Sequence, residues 1–214
     1  KALGTVIFDT HSHGGGYSPK YLEFWYPEWN GQTIFRYDLE YSPMGTFSSG
    51  SSNMMGLWGD IDGTYYTANW SEDRVRKFSD KGSNQLWEYH TGGTAGGVCS
   101  DANFVYAMRD SGDTVWKLNK DTGQVVDTFS LPGATGTQGG LVCTPGRFYY
   151  ANSGGNVRYY DANSHQQLGT FNFGSGANSV SFDGSVMYAS PNSSNVTRYQ
   201  LVDGNIYEPG GSGG

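Results

Sequence analysis

The sequence predicts an all-β fold: a five-bladed β-propeller of four-stranded antiparallel blades, with a period of about 41 residues. Three observations carry this expectation. The composition is turn-rich, with 33 Gly in 214 residues and 15% aromatics, while charged residues make up 15% against about 25% in ordinary domains. No stretch shows the 3.6-residue apolar period of a helix. Above all, the chain repeats itself. A β run that ends around a basic residue occurs as Ile34-Phe35-Arg36-Tyr37, Val75-Arg76-Lys77-Phe78, Val115-Trp116-Lys117-Leu118, Val157-Arg158-Tyr159-Tyr160 and Val196-Thr197-Arg198-Tyr199, with first residues 41, 40, 42 and 39 apart. Self-similarity at that spacing is the mark of a repeat architecture.

Four short β runs make up one period. The chain opens on an outermost strand around Val6, whose counterparts Phe47, Tyr89, Phe129 and Phe171 follow at steps of 41, 42, 40 and 42. An innermost strand comes next, around Gly15 in the first blade and around Leu57, Val98, Val142 and Val180 afterwards. Second strands carry the aromatic series Trp25, Tyr66, Tyr106, Tyr150 and Tyr188, and third strands carry the basic series. The poorest match is the last outermost strand, near Asn205 to Tyr207. The N-terminal strand is therefore expected to complete the last blade, which removes an open sheet edge. The same strand equally suits a neighbouring molecule's last blade, giving a homo-oligomer or a polymer. Residues 1–207 are expected to form the propeller and 208–214, reading EPGGSGG, a flexible tail or linker.

The stretch VYAMRDSGDTVWKLNKDTGQVVDTF, Val105 to Phe129, resembles a blade of the NHL/YVTN-type, streptogramin-lyase-like propellers. The likeness is close in this blade, fair around Tyr150 to Phe171 and loose elsewhere. It implies a propeller superfamily that holds enzymes, lectins and plain scaffolds. The blade count is also similar to that of tachylectin-like sugar-binding propellers, although their motifs have no copy here. Function therefore has to be argued from a site.

Charge narrows the partners. A net charge of −7 and a pI of about 4.9 argue against a nucleic-acid partner, which would call for a basic face, and no apolar run reaches the roughly 18 residues of a membrane span. The opening Lys-Ala-Leu is neither an initiator Met nor a signal peptide and reads as a mature or trimmed product.

Several residue groups are candidates for chemistry. The basic series Arg36, Lys77, Lys117 and Arg198, with Tyr159 in the remaining repeat, reads as side chains that snorkel or pair between blades rather than as a binding ring. Asp60 and Asp62 in GDIDG, Asp101 in CSDAN and Asp183 in FDGS fall where first strands turn into second strands, and hairpin chemistry explains them better than acid–base catalysis. His11 and His13 lie two apart, on one face of an extended strand, but His90 and His165 offer no ligand spacing. No metal and no cofactor is expected. Cys99 in GGVCSD and Cys143 in GLVCTP follow equivalent valines. Two buried thiols are the first reading and a disulfide the second, because a bridge needs Cα atoms about 4.4–6.8 Å apart. Sequons occur at Asn69, Asn192 and Asn195, about the number chance gives in so Ser- and Thr-rich a chain, yet all three fall between second and third strands. The glycine pairs in TGGTAGG and GTQGG read as tight crossovers at the lip of the channel.

Ligand-binding candidates are Trp25, Tyr26 and Trp29, in the aromatic cluster EFWYPEWNG, and Trp58 beside Tyr17 near the channel. The functional expectation is a non-catalytic extracellular or cell-surface module that binds glycan or protein through its loop faces. A fibre subunit that polymerises by strand exchange is one alternative. A polysaccharide hydrolase or lyase with a site at the channel is the other.

Overall fold

The computed structural model describes residues 2–7, 14–134, 140–152, 154–172, 177–191, 195–202 and 205–206. His11, His13, Asn192 and the 208–214 tail lie outside the described residues. The chain begins with β1 (Ala2–Ile7). A first four-stranded sheet follows in chain order as β2 (Gly16–Ser18), β3 (Glu23–Pro27), β4 (Thr33–Tyr37) and β5 (Pro43–Ser48). The second is β6 (Met54–Gly59), β7 (Tyr65–Asn69), β8 (Arg74–Phe78) and β9 (Gln85–His90). The third is β10 (Ala95–Ser100), β11 (Phe104–Arg109), β12 (Thr114–Asn119) and β13 (Val125–Ser130). The fourth is β14 (Leu141–Thr144), β15 (Arg147–Ala151), β16 (Asn156–Asp161) and β17 (Gln167–Asn172). A further sheet holds β18 (Ala177–Phe182), β19 (Val186–Pro191) and β20 (Asn195–Val202), with β1 antiparallel along β20 and β21 (Asn205–Ile206) pairing the far end of β20. The architecture is an all-β propeller with four-stranded antiparallel blades, and its first strands β2, β6, β10, β14 and β18 touch in cyclic order.

Period-two alternation gives each sheet two buried faces. In β11, Val105 and Ala107 pack on the second sheet with Tyr66, Ala68 and Trp87, while Tyr106 and Met108 turn to the fourth sheet against Phe148 and Tyr150. The aromatic series is this inter-sheet core, with one correction. Tyr66, Tyr106, Tyr149 and Tyr188 stand opposite Trp58, Cys99, Val142 and Ser181, so Tyr149 rather than Tyr150 is the fourth member.

The same offset of one residue changes the reading of the cysteines. Val142, not Cys143, is the counterpart of Cys99. A shift of one position reverses the face a side chain takes, so Cys99 looks toward the fourth sheet and Cys143 back toward the third. Their Cα atoms are 5.6 Å apart and the sulfurs are joined in a disulfide. Two separate thiols, the first reading, give way to the bridge.

Each outer strand of the four-stranded sheets carries a bulge at the same place, between Arg36/Tyr37, Lys77/Phe78, Lys117/Leu118 and Tyr159/Tyr160 on its partner. The extra residues are Met44, Leu86, Val126 and Leu168, all exposed. A bulge twists an edge away from pairing with another chain.

Candidate functional site at the channel mouth

The innermost strands come close because glycine lets them. A Cβ on Gly16 would stand 2.6 Å from the Leu57 carbonyl oxygen, and one on Gly56 would stand 2.8 Å from that of Gly96. A cavity of about 10 Å³ between these strands is lined by Met55, Leu57, Val98, Leu141 and Val180 among the glycines. The glycines read from sequence as lip crossovers are thus in part spacers inside the channel.

The channel widens where the first strands turn into the second. There a hollow of about 300 Å³ is lined by Tyr17, Trp58, Asp60, Ser100, Lys120 and Phe182, among others. Trp58 is half-buried and packs against three of the inter-sheet clusters. Phe182 and Tyr17 add two further rings from the sheets of β18 and β2. Burial pushes the Tyr17 hydroxyl up, helped by the charge of Asp183.

Polar groups at this mouth are held in place. The Asp60 carboxylate lies 2.6 Å from Lys120 Nζ, accepts from Ser100 Oγ at 3.2 Å and from the Tyr66 hydroxyl at 3.2 Å, and takes the Ile61 amide at 2.8 Å. Lys120 also donates to the Asp101 carbonyl at 2.7 Å. Asp101 caps the amides of Asn103 and Phe104 and accepts from the Tyr106 hydroxyl at 2.7 Å. Asp183 repeats the arrangement with Ser185, Val186 and Tyr188. The turn aspartates are therefore hairpin caps that also anchor a second-strand tyrosine. For each of Tyr66, Tyr106 and Tyr188, burial raises the hydroxyl pKa and the neighbouring aspartate raises it further. At Asp62, burial acts to raise the pKa, but hydrogen bonds from Thr64 outweigh it and the net shift is downward.

The other sequence candidates fall elsewhere. Trp25 and Tyr26 are 0% and 3% exposed, so they are core and not a ligand platform. Trp25 stands edge-on to Phe47 and Tyr65 and donates its indole N–H to Glu23. Trp29 is half-buried, with its ring 6.2 Å from that of Trp70. Asn69 is fully buried: its amide donates to the Ser52 carbonyl and its oxygen accepts from Ser51 and Thr67. The expectation of a glycan there is overturned, because the sequon asparagine has no open side. Asn195 begins β20. His90 is exposed beside Glu88, and His165 lies flat on Phe129 with centroids 3.7 Å apart. Among the described residues, no three His, Cys, Asp or Glu side chains converge as metal ligands would. Phe182 and Lys120 were not legible as site residues, because only the turn packing carries them to the mouth.

A second hollow of about 600 Å³ opens between the third and fourth sheets, sharing Ser100, Asp101, Ala102, Cys143, Thr144 and Pro145 with the first. Its own walls are Asn103, Tyr106, Lys117, Phe148, Ala162 and Asn163, with others. Cys143 of the disulfide lines both hollows.

No family model and no curated protein matches the chain. Solved structures do. The glutaminyl cyclase of Myxococcus xanthus is similar with a TM-score of 0.76 and 14% identity over 97% of each chain. A chain of the mitotic checkpoint complex is similar with a TM-score of 0.59 and 14% identity over 88% of this chain and 61% of that one. At such identities the likeness shows the fold, that of a β-propeller.

Proposed function

We propose that the protein is a recognition module that holds a glycan or protein ligand at the channel mouth, without catalysis. The observation that carries this reading is the hollow in which Tyr17, Trp58 and Phe182 meet the Asp60–Lys120 pair. Aromatic faces with a few fixed polar groups are the usual chemistry of a small-ligand site. The carboxylates of Asp60, Asp101 and Asp183 already serve turn amides and tyrosine hydroxyls, which favours binding over acid–base work. Tryptophan fluorescence during titration with neutral oligosaccharides and short peptides tests it. A saturable change that Trp58→Ala abolishes is expected, and no response to either ligand class refutes the reading.

The finer architecture belongs to the same proposal. The sheet of β18, β19, β20 and β1 is the fifth blade, β1 closes its own ring, the propeller occupies 1–207 and 208–214 is a tail or linker. The Val105–Phe129 repeat supports an NHL/YVTN-type ancestry. A disulfide supports an oxidising, extracellular setting, where Asn192 or Asn195 carries a glycan that mass spectrometry of native material detects. A particle of 23.3 kDa in light scattering is the expected result. Defined oligomers or fibres would instead favour the assembly reading, in which β1 completes a neighbour.

A second reading, an enzyme, is favoured by the full-length likeness to a glutaminyl cyclase. Incubation with a glutaminyl peptide decides it: cyclisation expels ammonia and lowers the peptide mass. The mass is expected to stay unchanged.

A further inference from the structure

We propose that the hollow between the third and fourth sheets binds the carboxylate of an acidic sugar unit, with Lys117 as its ion-pair partner. The members of the basic series occupy the same third-strand position and differ in what they meet. Arg36 lies 2.6 Å from Glu23. Lys77 donates to the Lys120 carbonyl at 3.0 Å. Arg198 donates to the Tyr41 hydroxyl at 3.2 Å. Lys117 has its Nζ 4.0 Å from the centroid of the Phe104 ring, and among the described residues no carboxylate lies within ion-pair distance of it. Asp127 stands opposite on β13 but accepts from the Thr128 amide, and Asp101 is occupied by its turn and by Tyr106.

A half-buried ammonium over a ring keeps its N–H donors available for an anion. Lys117 is also the member of the series that lines the larger hollow, and at about 600 Å³ that hollow lies within the range of small-ligand sites. Tyr106 and Phe148 are buried there and form its floor, while the exposed amides of Asn103 and Asn163 stand at its rim. A sugar ring presents a C–H face to aromatic rings and hydroxyls to amides, and a uronate adds the charge that Lys117 lacks. Lys117 does not line the central hollow, so this site goes beyond the reading above.

The test is calorimetric titration of the intact protein with trigalacturonate and with its methyl ester, which removes the charge and keeps the rings. Trigalacturonate is expected to bind at least tenfold more tightly than the ester, with an affinity that falls as salt is added. Lys117→Met should erase the distinction and Lys117→Arg should restore most of it, with melting curves of both variants overlaying the parent. No binding of trigalacturonate, equal binding of acid and ester, or an undiminished preference in Lys117→Met overturns the proposal. Tighter binding of a tripeptide with a free C-terminal carboxylate overturns the sugar assignment. Neutral oligosaccharides titrated into Lys117→Met separate the two hollows: their binding should be unchanged, and its loss would refute an anion-specific role for Lys117.

Discussion

Two seams built from the same repeat end up unlike. Between the first and second sheets, Trp25, Ile34, Met54, Leu57, Tyr65 and Phe78 are all fully or nearly fully buried, and Phe47 and Tyr21 pack beside them. Glu23 gathers Arg36 and Lys81 at 2.6 and 2.9 Å with the Trp25 indole N–H. Between the third and fourth sheets the equivalent lysine, Lys117, has no carboxylate within ion-pair distance among the described residues, a hollow stays open, and a disulfide ties the inner strands. Both seams hold a buried aromatic core, and the second adds a covalent bond and an open hollow. The difference teaches that a repeat position satisfied in one place and unsatisfied in another marks where the scaffold leaves room for something else.

This contrast can be broken at several points. Trp25→Ala should cost about 3–5 kcal/mol, the loss expected for a large aromatic removed from a packed core, and thermal denaturation should show a large drop in Tm. Reduction of Cys99–Cys143, which closes a loop over a separation of 44 residues, should lower stability by about 4 kcal/mol on the chain-entropy account, read by denaturant melts with and without reductant. Glu23→Gln should cost about 2 kcal/mol, because Arg36 and Lys81 then lose a buried charge partner.

That last variant has a pH signature. Burial acts to raise the Glu23 pKa, but Arg36, Trp25 and Lys81 outweigh it and hold the carboxyl at about 2, below the ordinary 4.5. A depressed carboxylate contributes stability that is complete above the unfolded pKa and lost as pH falls through the folded one. Parent stability should therefore decline from about pH 4.5 toward 2, and in Glu23→Gln that share of the decline should be absent. The smallest effect sharpens the contrast most. Lys117→Met should change stability by no more than about 0.5 kcal/mol, as expected for a side chain without an ion pair, whereas Arg36→Met should lose clearly more.

Much of the propeller was legible because strand periodicity and a 41-residue period survive divergence of individual residues. The basic series was read as side chains that snorkel or pair between blades: Lys77 and Arg198 reach segments of neighbouring sheets, at Lys120 and Tyr41, whereas Arg36 pairs with Glu23 inside its own sheet. The failures come from single-residue register. Tyr149 and Tyr150 are adjacent tyrosines, and nothing in the string says which one faces the next sheet. The same slip made Cys99 and Cys143 look equivalent when they face each other. Trp25 and Tyr26 drew attention as a dense aromatic cluster, but density alone does not distinguish core from platform. Asn69 fits its sequon, yet the neighbouring serines that enclose it come from the preceding loop. The hollow beside Lys117 arises where two sheets meet, and no single run of letters spells out such a junction.

The pairing of β1 with β20 has a mechanical consequence. Ala2 stands opposite Tyr199 and Ile7 opposite Asn195, so tension entering at Ala2 and leaving at Val202 meets the ladder at one end. Its hydrogen bonds are then loaded one after another, as in a zipper, and not side by side as in a shear joint. Under traction applied at Ala2 and Val202 this ladder is expected to peel open at low force.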